Sequence, residues 1–230
     1  MQVNLKAITP NIEETIVEIA RVSSSRKDKS ENPEGLINYL IKNWHWSPFE
    51  HGYITMEIVT SKAIGIQLLR HRSFTFQEFS QRYQEVGKVS DEGMFEDIEL
   101  RKQASNNRQS SEEVFDPTIP VKCSEIVDEV TLEEYTADIE ANFLIDNILQ
   151  QSEKLYNDLL EAGVAREQAR MILPMASKTR IFMTGSVRSW IHFIKLRDDS
   201  HAQKEVQLIA KDIKDILIDE LPLISNALGW

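Results

Sequence analysis

Cysteine is almost missing from this chain: Cys123 is the only one in 230 residues. No intramolecular disulfide can form, and no cysteine metal site can be assembled within the chain. Histidine offers no substitute, because His45, His51, His71, His192 and His201 lack metal-ligand spacing. Long apolar runs are absent as well. None approaches the roughly 20 residues of a membrane span, and Met1 to Pro10 is mixed polar, without the apolar core of a signal peptide. Positive charge is in deficit, with 26 Lys and Arg against 37 Asp and Glu and a net charge of −11. That balance opposes non-specific binding to nucleic acid or to an anionic membrane, since both need a positive field. A small anion requires only a local group of arginines and stays allowed. The expectation is a soluble, cytoplasmic protein with no nucleic-acid or membrane partner.

The common chemical motifs are missing too. There is no Gly-x-Gly-x-x-Gly, no Walker loop and no His-Glu-x-x-His. Cys123 has no Pro-Cys or Cys-His context to activate its thiol and reads as a bystander. With no evident nucleophile or metal, difficult chemistry has to come from a cofactor. No Pro/Gly/Ser-rich linker divides the chain, so residues 1–230 read as one domain.

Periodicity outlines a helix-rich α+β fold with a small, mainly antiparallel sheet. Asn11 can cap a helix whose Ile12, Ile16 and Ile19 share a face. Pro33 opens a second helix with a Leu36, Ile37, Leu40, Ile41 stripe. Tyr53 to Thr60 alternates as a strand and is rich in β-branched residues. A short helix is expected from Ala63 to about Arg70. The character changes over about 84–132, a polar insertion in which residues 103–111 read as a surface loop. Helical periodicity is expected from about Leu132 to Leu160, broken by Gly163, with a shorter helix ending at Pro174. A strand over Thr179 to Val187, a helix over Ser189 to Arg197, and a last helix capped by Ser200 and reaching about Ile218 complete the reading.

What the chain has in abundance is grouped arginine. Arg70, Arg72 and Arg82 fall within 13 residues, with His71, Ser73, Thr75, Gln77 and Ser80 among them. Arg166, Arg170, Arg180, Arg188 and Arg197 lie between Gly163 and Ser200. The planar guanidinium fork suits phosphate and the carbonyl or imide edge of a ring. A single arginine more commonly just solubilises a surface, but Arg70 and Arg72 adjoin an apolar stretch, Ile64 to Leu69. On a helical wheel Arg197 shares a stripe with Trp190, Phe193 and Ile194, opposite Arg188, His192 and Lys195. A guanidinium there needs a polar or anionic partner, unless it serves only the helix dipole at the C-terminal end. Arg166 and Arg170, four apart, repel mildly, and either a nearby anion or solvation would relieve that.

These residues carry a family resemblance. Arg70-His71-Arg72, seven residues, Ser80 and then Arg82 is similar to the signature of flavin-dependent thymidylate synthases. Other stretches resemble the family in the same order: Ala20-Arg21-Val22-Ser23, His45 to His51, Gln67, Ala169 to Pro174, Thr179-Arg180, and Arg188 through Arg197 to Gln203. Thr75 stands where the signature usually has Ser, Gln77 where it has Asn, and Ser186 replaces a common Asn near the flavin.

The resemblance implies reductive methylation of deoxyuridylate (dUMP) to thymidylate (dTMP), with methylenetetrahydrofolate as carbon donor. FAD reduced by NADPH would supply the hydride, with no cysteine attack, in a homotetramer whose sites combine several chains. It implies that Ser47, Arg70, His71, Arg72, Glu78, Ser186, Arg188 and His192 meet FAD. Gln67, Ser80, Gln81, Arg82 and Arg170 would hold the nucleotide. Arg197 would lie at the uracil and favour its ionised form. His45 is a contact for folate or nicotinamide, or a structural hydrogen bond; Glu50 and His51 read as structural. No metal is implied. The competing readings are a non-catalytic homologue that binds without turnover, a flavin enzyme with another pyrimidine substrate, and a nucleic-acid module. The last would stack bases on Phe74, Phe76, Phe79 and Tyr83, aromatics that at this spacing more often form core.

Overall fold

In Tyr53–Ser61 apolar side chains alternate with polar ones, so Ile54, Met56 and Ile58 are buried while Tyr53, Thr55 and Glu57 face outward. This strand, β2, organises the sheet. In the computed structural model, which describes residues 1–23, 32–108, 110–126 and 132–230, the chain divides into two compact units. One comprises Met1–Phe79 and Lys178–Trp230, the other Ser80–Ser177.

The first unit carries a four-stranded antiparallel sheet with β1 (Gln2–Ile8), β2, β3 (Thr75–Glu78) and a later strand, Lys178–Ser186, numbered β8. Their order is β1-β2-β8-β3. The register runs from Tyr53 opposite Ser186 to Ser61 opposite Lys178. Each central strand ends in a serine that caps the helix after it. Ser61 Oγ accepts from the Ile64 amide (3.3 Å) and opens α3 (Lys62–Leu68). Ser186 Oγ accepts from the Ser189 amide (3.3 Å) and opens α6 (Val187–Arg197). The antiparallel pairing therefore sends these helices off opposite ends of the sheet.

The core is built from helix faces of the same unit. Helix α1 (Ile12–Ala20) contributes Ile12 and Ile16, and α2 (Pro33–Lys42) contributes Ile37 and Leu40. Helix α7 (Lys204–Glu220) adds Ile209, Ile213 and Leu217 at a spacing of four. Trp190 is fully buried and donates its indole N–H to the Ile54 carbonyl (3.1 Å). Phe74 packs on it at a centroid distance of 4.7 Å. Gly185 permits that approach, since a Cβ there would lie 2.4 Å from the Phe74 ring.

The second unit holds two hairpins, β4 (Arg101–Gln103) with β5 (Ser111–Val114) and β6 (Thr118–Ile126) with β7 (Leu132–Glu140), followed by α4 (Ala141–Glu161) and the short α5 (Arg166–Ala169). A small core of Val86, Met94, Tyr156 and Ala169 supports it. Gly163, at φ 85°, turns the chain out of α4.

The α+β expectation holds, and several details change. Leu132–Glu140 is a strand rather than the start of a helix. Cross-strand pairing of Tyr135 with Cys123 and Ile139 with Ile119 outweighs the helical period. The surface-loop reading of residues 103–111 holds: Gln103 and Ser111 close a hairpin, and the described residues between them are neither helix nor strand. Gln109 and residues 127–131 of the 84–132 stretch lie outside the described residues, as does the side chain of Ser23. Asn11 precedes α1 in the left-handed conformation (φ 49°) and makes no side-chain cap, contrary to expectation. Gln203 rather than Ser200 precedes α7, and Pro222 starts a further helix, α8 (Pro222–Leu228). Among the described residues no helix is long and apolar enough to cross a membrane.

Candidate functional site

The buried face of α3, Ile64 and Leu68, anchors the segment that follows it. Tight turns then take the chain over Arg70, His71 and Arg72, with the His71 amide donating to Leu68 O (3.1 Å) and the Phe74 amide to His71 O (3.2 Å). The outcome is an alternation. Arg70 and Arg72 are exposed, while His71 between them is only 9% exposed. Among the described residues neither arginine side chain has a hydrogen-bond or ion-pair partner.

His71 packs edge-on against Phe193 (4.9 Å between centroids) and Phe74 (6.3 Å). Arg197 Nε donates to His71 Nε2 at 3.0 Å. A ring that accepts there is neutral and carries its proton on Nδ1. Burial, then the Arg197 charge and then His192, push the His71 pKa down to about 4. This meets the requirement that Arg197, half-buried beside Trp190, Phe193 and Ile194, should find a polar partner. The bond uses Nε and leaves the two terminal nitrogens of the fork without a partner among the described residues.

Other expected site residues are held by internal partners. Glu78 Oε1 accepts from both Lys62 Nζ and Thr179 Oγ1 (2.8 Å). Glu50 takes Arg188 on Oε1 (2.7 Å) and the Ser186 hydroxyl on Oε2 (2.8 Å). Gln67 donates its amide to Gln203. Ser47 is exposed at the start of the turn Ser47–Glu50, and His45 sets its ring edge against Tyr39 at 5.7 Å.

A cavity of about 860 Å³ opens in this unit, lined by Trp44, Trp46, Glu50, Ser73, Arg188 and His192 among others. It brings together three expected residues, Ser186, Arg188 and His192. Ser47, Arg70, His71, Arg72 and Glu78 are not among its walls. Sequence reasoning missed Trp44, Trp46 and Lys195 in the lining and gave Glu50 no partner. The available signal was the Trp-x-Trp pair directly before Ser47.

In the other unit Ser80 O accepts from the amides of Tyr83 (3.0 Å) and Gln84 (3.1 Å), a tight turn that leaves Arg82 exposed and buries Gln81. Arg82 reaches Glu167 Oε2 (3.4 Å), and Arg170 Nε donates to the Glu167 carbonyl (3.4 Å). Arg166 pairs with Glu85 (3.0 Å), so the i,i+4 repulsion of Arg166 and Arg170 is relieved by a carboxylate. The bond from Arg166 and that from Lys88 hold the Glu85 carboxyl below its ordinary pKa.

Among the described residues no group of His, Cys, Asp and Glu is placed to hold a metal. The arrangement offers exposed guanidiniums, a neutral imidazole and a partly aromatic cavity.

Comparison with known proteins agrees with this chemistry. The family described as thymidylate synthase complementing protein matches residues 4–223. The chain is 38% identical over 219 residues to the probable flavin-dependent thymidylate synthase of Paramecium bursaria Chlorella virus 1, covering 95% of this chain and 91% of that protein. It is 38% identical over 211 residues to the flavin-dependent thymidylate synthase of Synechocystis sp., with coverages of 92% and 86%. The corresponding protein of Thermosipho africanus is 35% identical over 207 residues, with coverages of 90% and 81%.

Proposed function

The chain belongs to the thymidylate synthase complementing protein family, and from that premise we propose that it makes thymidylate with a bound flavin. The substrate is dUMP, methylenetetrahydrofolate gives the carbon, and NADPH reduces FAD. The single catalytic domain works in the cytoplasm as a homotetramer, with residues of more than one chain in each site.

The observation that carries this reading is the free pair Arg70 and Arg72 on either side of a buried, neutral His71. Two exposed guanidiniums without an internal carboxylate suit a diphosphate. The cavity of about 860 Å³ lies within the range of ligand sites, and its indoles and Arg188 suit a planar ring with a charged tail. The residues therefore fit a flavin. When bound, the flavin supplies the hydride that completes the methyl group.

The chain's own groups bind and orient. Arg70, His71, Arg72 and Arg188 hold the cofactor, with Ser47, Glu78, Ser186 and His192 beside it. Gln67, Ser80, Gln81, Arg82 and Arg170 hold the nucleotide, the serine and arginines at its phosphate. Arg197 addresses the uracil through its terminal nitrogens, because its Nε is engaged by His71. A cation there favours the ionised ring and enriches C5 for attack on the methylene. His71 stays neutral, so it aligns that fork without competing for the anion. His45 contacts the folate or nicotinamide ring.

The test is the absorption spectrum of the purified protein with and without added FAD, followed by release of tritium from C5 of labelled dUMP. A bound flavin spectrum and tritium release that depends on methylenetetrahydrofolate are expected. No flavin binding in equilibrium dialysis, with or without dUMP, would overturn the reading.

A further inference from the structure

Helix α2 closes in a way its sequence should resist. The Trp44 amide donates to Ile41 O (3.2 Å) and the His45 amide to Leu40 O (2.9 Å), the nested pair that ends a helix through a left-handed residue. Trp44 is that residue, at φ 59°. Glycine ordinarily takes this place because a Cβ strains it, and a bulky side chain is an outlier there. Burial does not offset the strain, since Trp44 is 71% exposed.

The surroundings of the ring are those of a ligand platform. Trp46 meets it edge-on at 6.3 Å, and Lys195 Nζ lies 5.6 Å from its centroid. Both tryptophans, Lys42 and Lys195 line the same cavity as Arg188 and His192. A protein of net charge −11 thus places two lysines in the same cavity wall as an exposed indole, with Arg188 of that wall already paired to Glu50.

We propose that Trp44 is a stacking platform for a planar aromatic ring that carries an anionic tail, with Lys195 and Lys42 drawing the tail's negative charge. The proposal rests on the flavin reading and deepens it. Two ligands of that reaction share this chemistry, the adenine diphosphate end of FAD and the aryl-glutamate end of the folate.

The test uses Trp44→Gly, which restores the residue the helix end prefers, so lost affinity is not lost folding. Binding of FAD and of tetrahydrofolate is measured for the native chain, Trp44→Gly, Trp44→Phe and Lys195→Met. Trp44→Gly should keep its Tm and weaken one of the two ligands about tenfold, which identifies the source. Trp44→Phe should recover most of the loss, and Lys195→Met should weaken the same ligand and flatten its salt dependence. Unchanged affinity for both ligands in Trp44→Gly, beside a native chain that binds FAD, overturns the platform alone. A native chain that binds neither ligand overturns the flavin reading as well. If Trp44→Gly changes the sedimenting mass while both affinities stay put, the ring belongs to an interface between copies and the platform is refuted.

Discussion

Lowering the pH should unfasten the His71–Arg197 pair and weaken the fold that holds it. His71 has its pKa pushed from 6.5 down to about 4, first by burial and then by Arg197 and His192. The sign follows from proton binding. Between pH 6.5 and about 4 the unfolded chain takes up a proton at this residue and the folded chain does not. Unfolding therefore becomes easier as pH falls, and the contribution is complete only above about pH 6.5. At 1.36 kcal/mol per pKa unit the whole shift corresponds to about 3 kcal/mol, of which about 2 should be gone by pH 4.5. Urea unfolding at pH 7.5 and 4.5, in the native chain and in His71→Gln, isolates it, because the carboxylates titrate alike in both. The native chain should lose about 2 kcal/mol more than the variant over that interval. A second arm follows the imidazole by NMR: Arg197→Ala removes one of the neighbouring positive charges and should raise the His71 pKa. Equal pH dependence in native and His71→Gln proteins, or an unmoved resonance in Arg197→Ala, would refute the reasoning.

Arg197→Lys keeps a charge and loses the fork, so thymidylate formation should fall by about 30- to 1000-fold, a loss of roughly 2–4 kcal/mol, while flavin reduction by NADPH barely changes. Normal methylation in both Arg197→Lys and Arg197→Ala would return Arg197 to a structural role at the helix end. Cys123 lies half-buried on β6 with Sγ 3.6 Å from the Val121 carbonyl, and Cys123→Ser should leave turnover within about twofold; a thousandfold loss in folded protein would demand a thiolate step. Gly185→Ala drives a methyl into the Phe74 ring, which a Cβ would meet at 2.4 Å. Thermal unfolding should show a loss of about 1–3 kcal/mol, and an unchanged Tm would mean that Phe74 can move aside.

The strands and helices that sequence reading found are those whose pattern is local. Tyr53 to Thr60 alternates, Pro33 starts a helix with Asn32 capping Gly35 N (2.8 Å), and Gly163 stops one. The missed elements depend on pairing. Gln2–Ile8 looks merely mixed until β2 lies beside it and Val3, Leu5 and Ile8 turn toward the core. Thr75–Glu78 hid inside the signature because its ladder is supplied by β8, more than 100 residues away. Leu132–Glu140 has an apolar spacing compatible with a helix, and only its partner β6 makes it a strand. Pairing at a distance leaves little trace in a local window.

The site was legible in residue type and far less so in partnership. Arginine numbers, and the anomaly of Arg197 on an apolar stripe, could be read directly; that His71 satisfies Arg197 could not, because the two lie on different elements. The partners matter for what the arginines can do. Arg188 is already paired with Glu50, Arg82 with Glu167 and Arg166 with Glu85, so an incoming anion at any of these has to compete with a carboxylate. Such exposed pairs are each worth under about 1 kcal/mol and exchange readily. Arg70, Arg72 and the terminal nitrogens of Arg197 face no such competitor among the described residues. Among the described residues an acidic chain thus ties several guanidiniums to carboxylates and leaves a few open, and at Arg197 it does so with an imidazole held neutral. A carboxylate in the place of His71 would align the same fork but cancel its charge. A buried neutral acceptor aligns it and leaves the positive charge for a ligand.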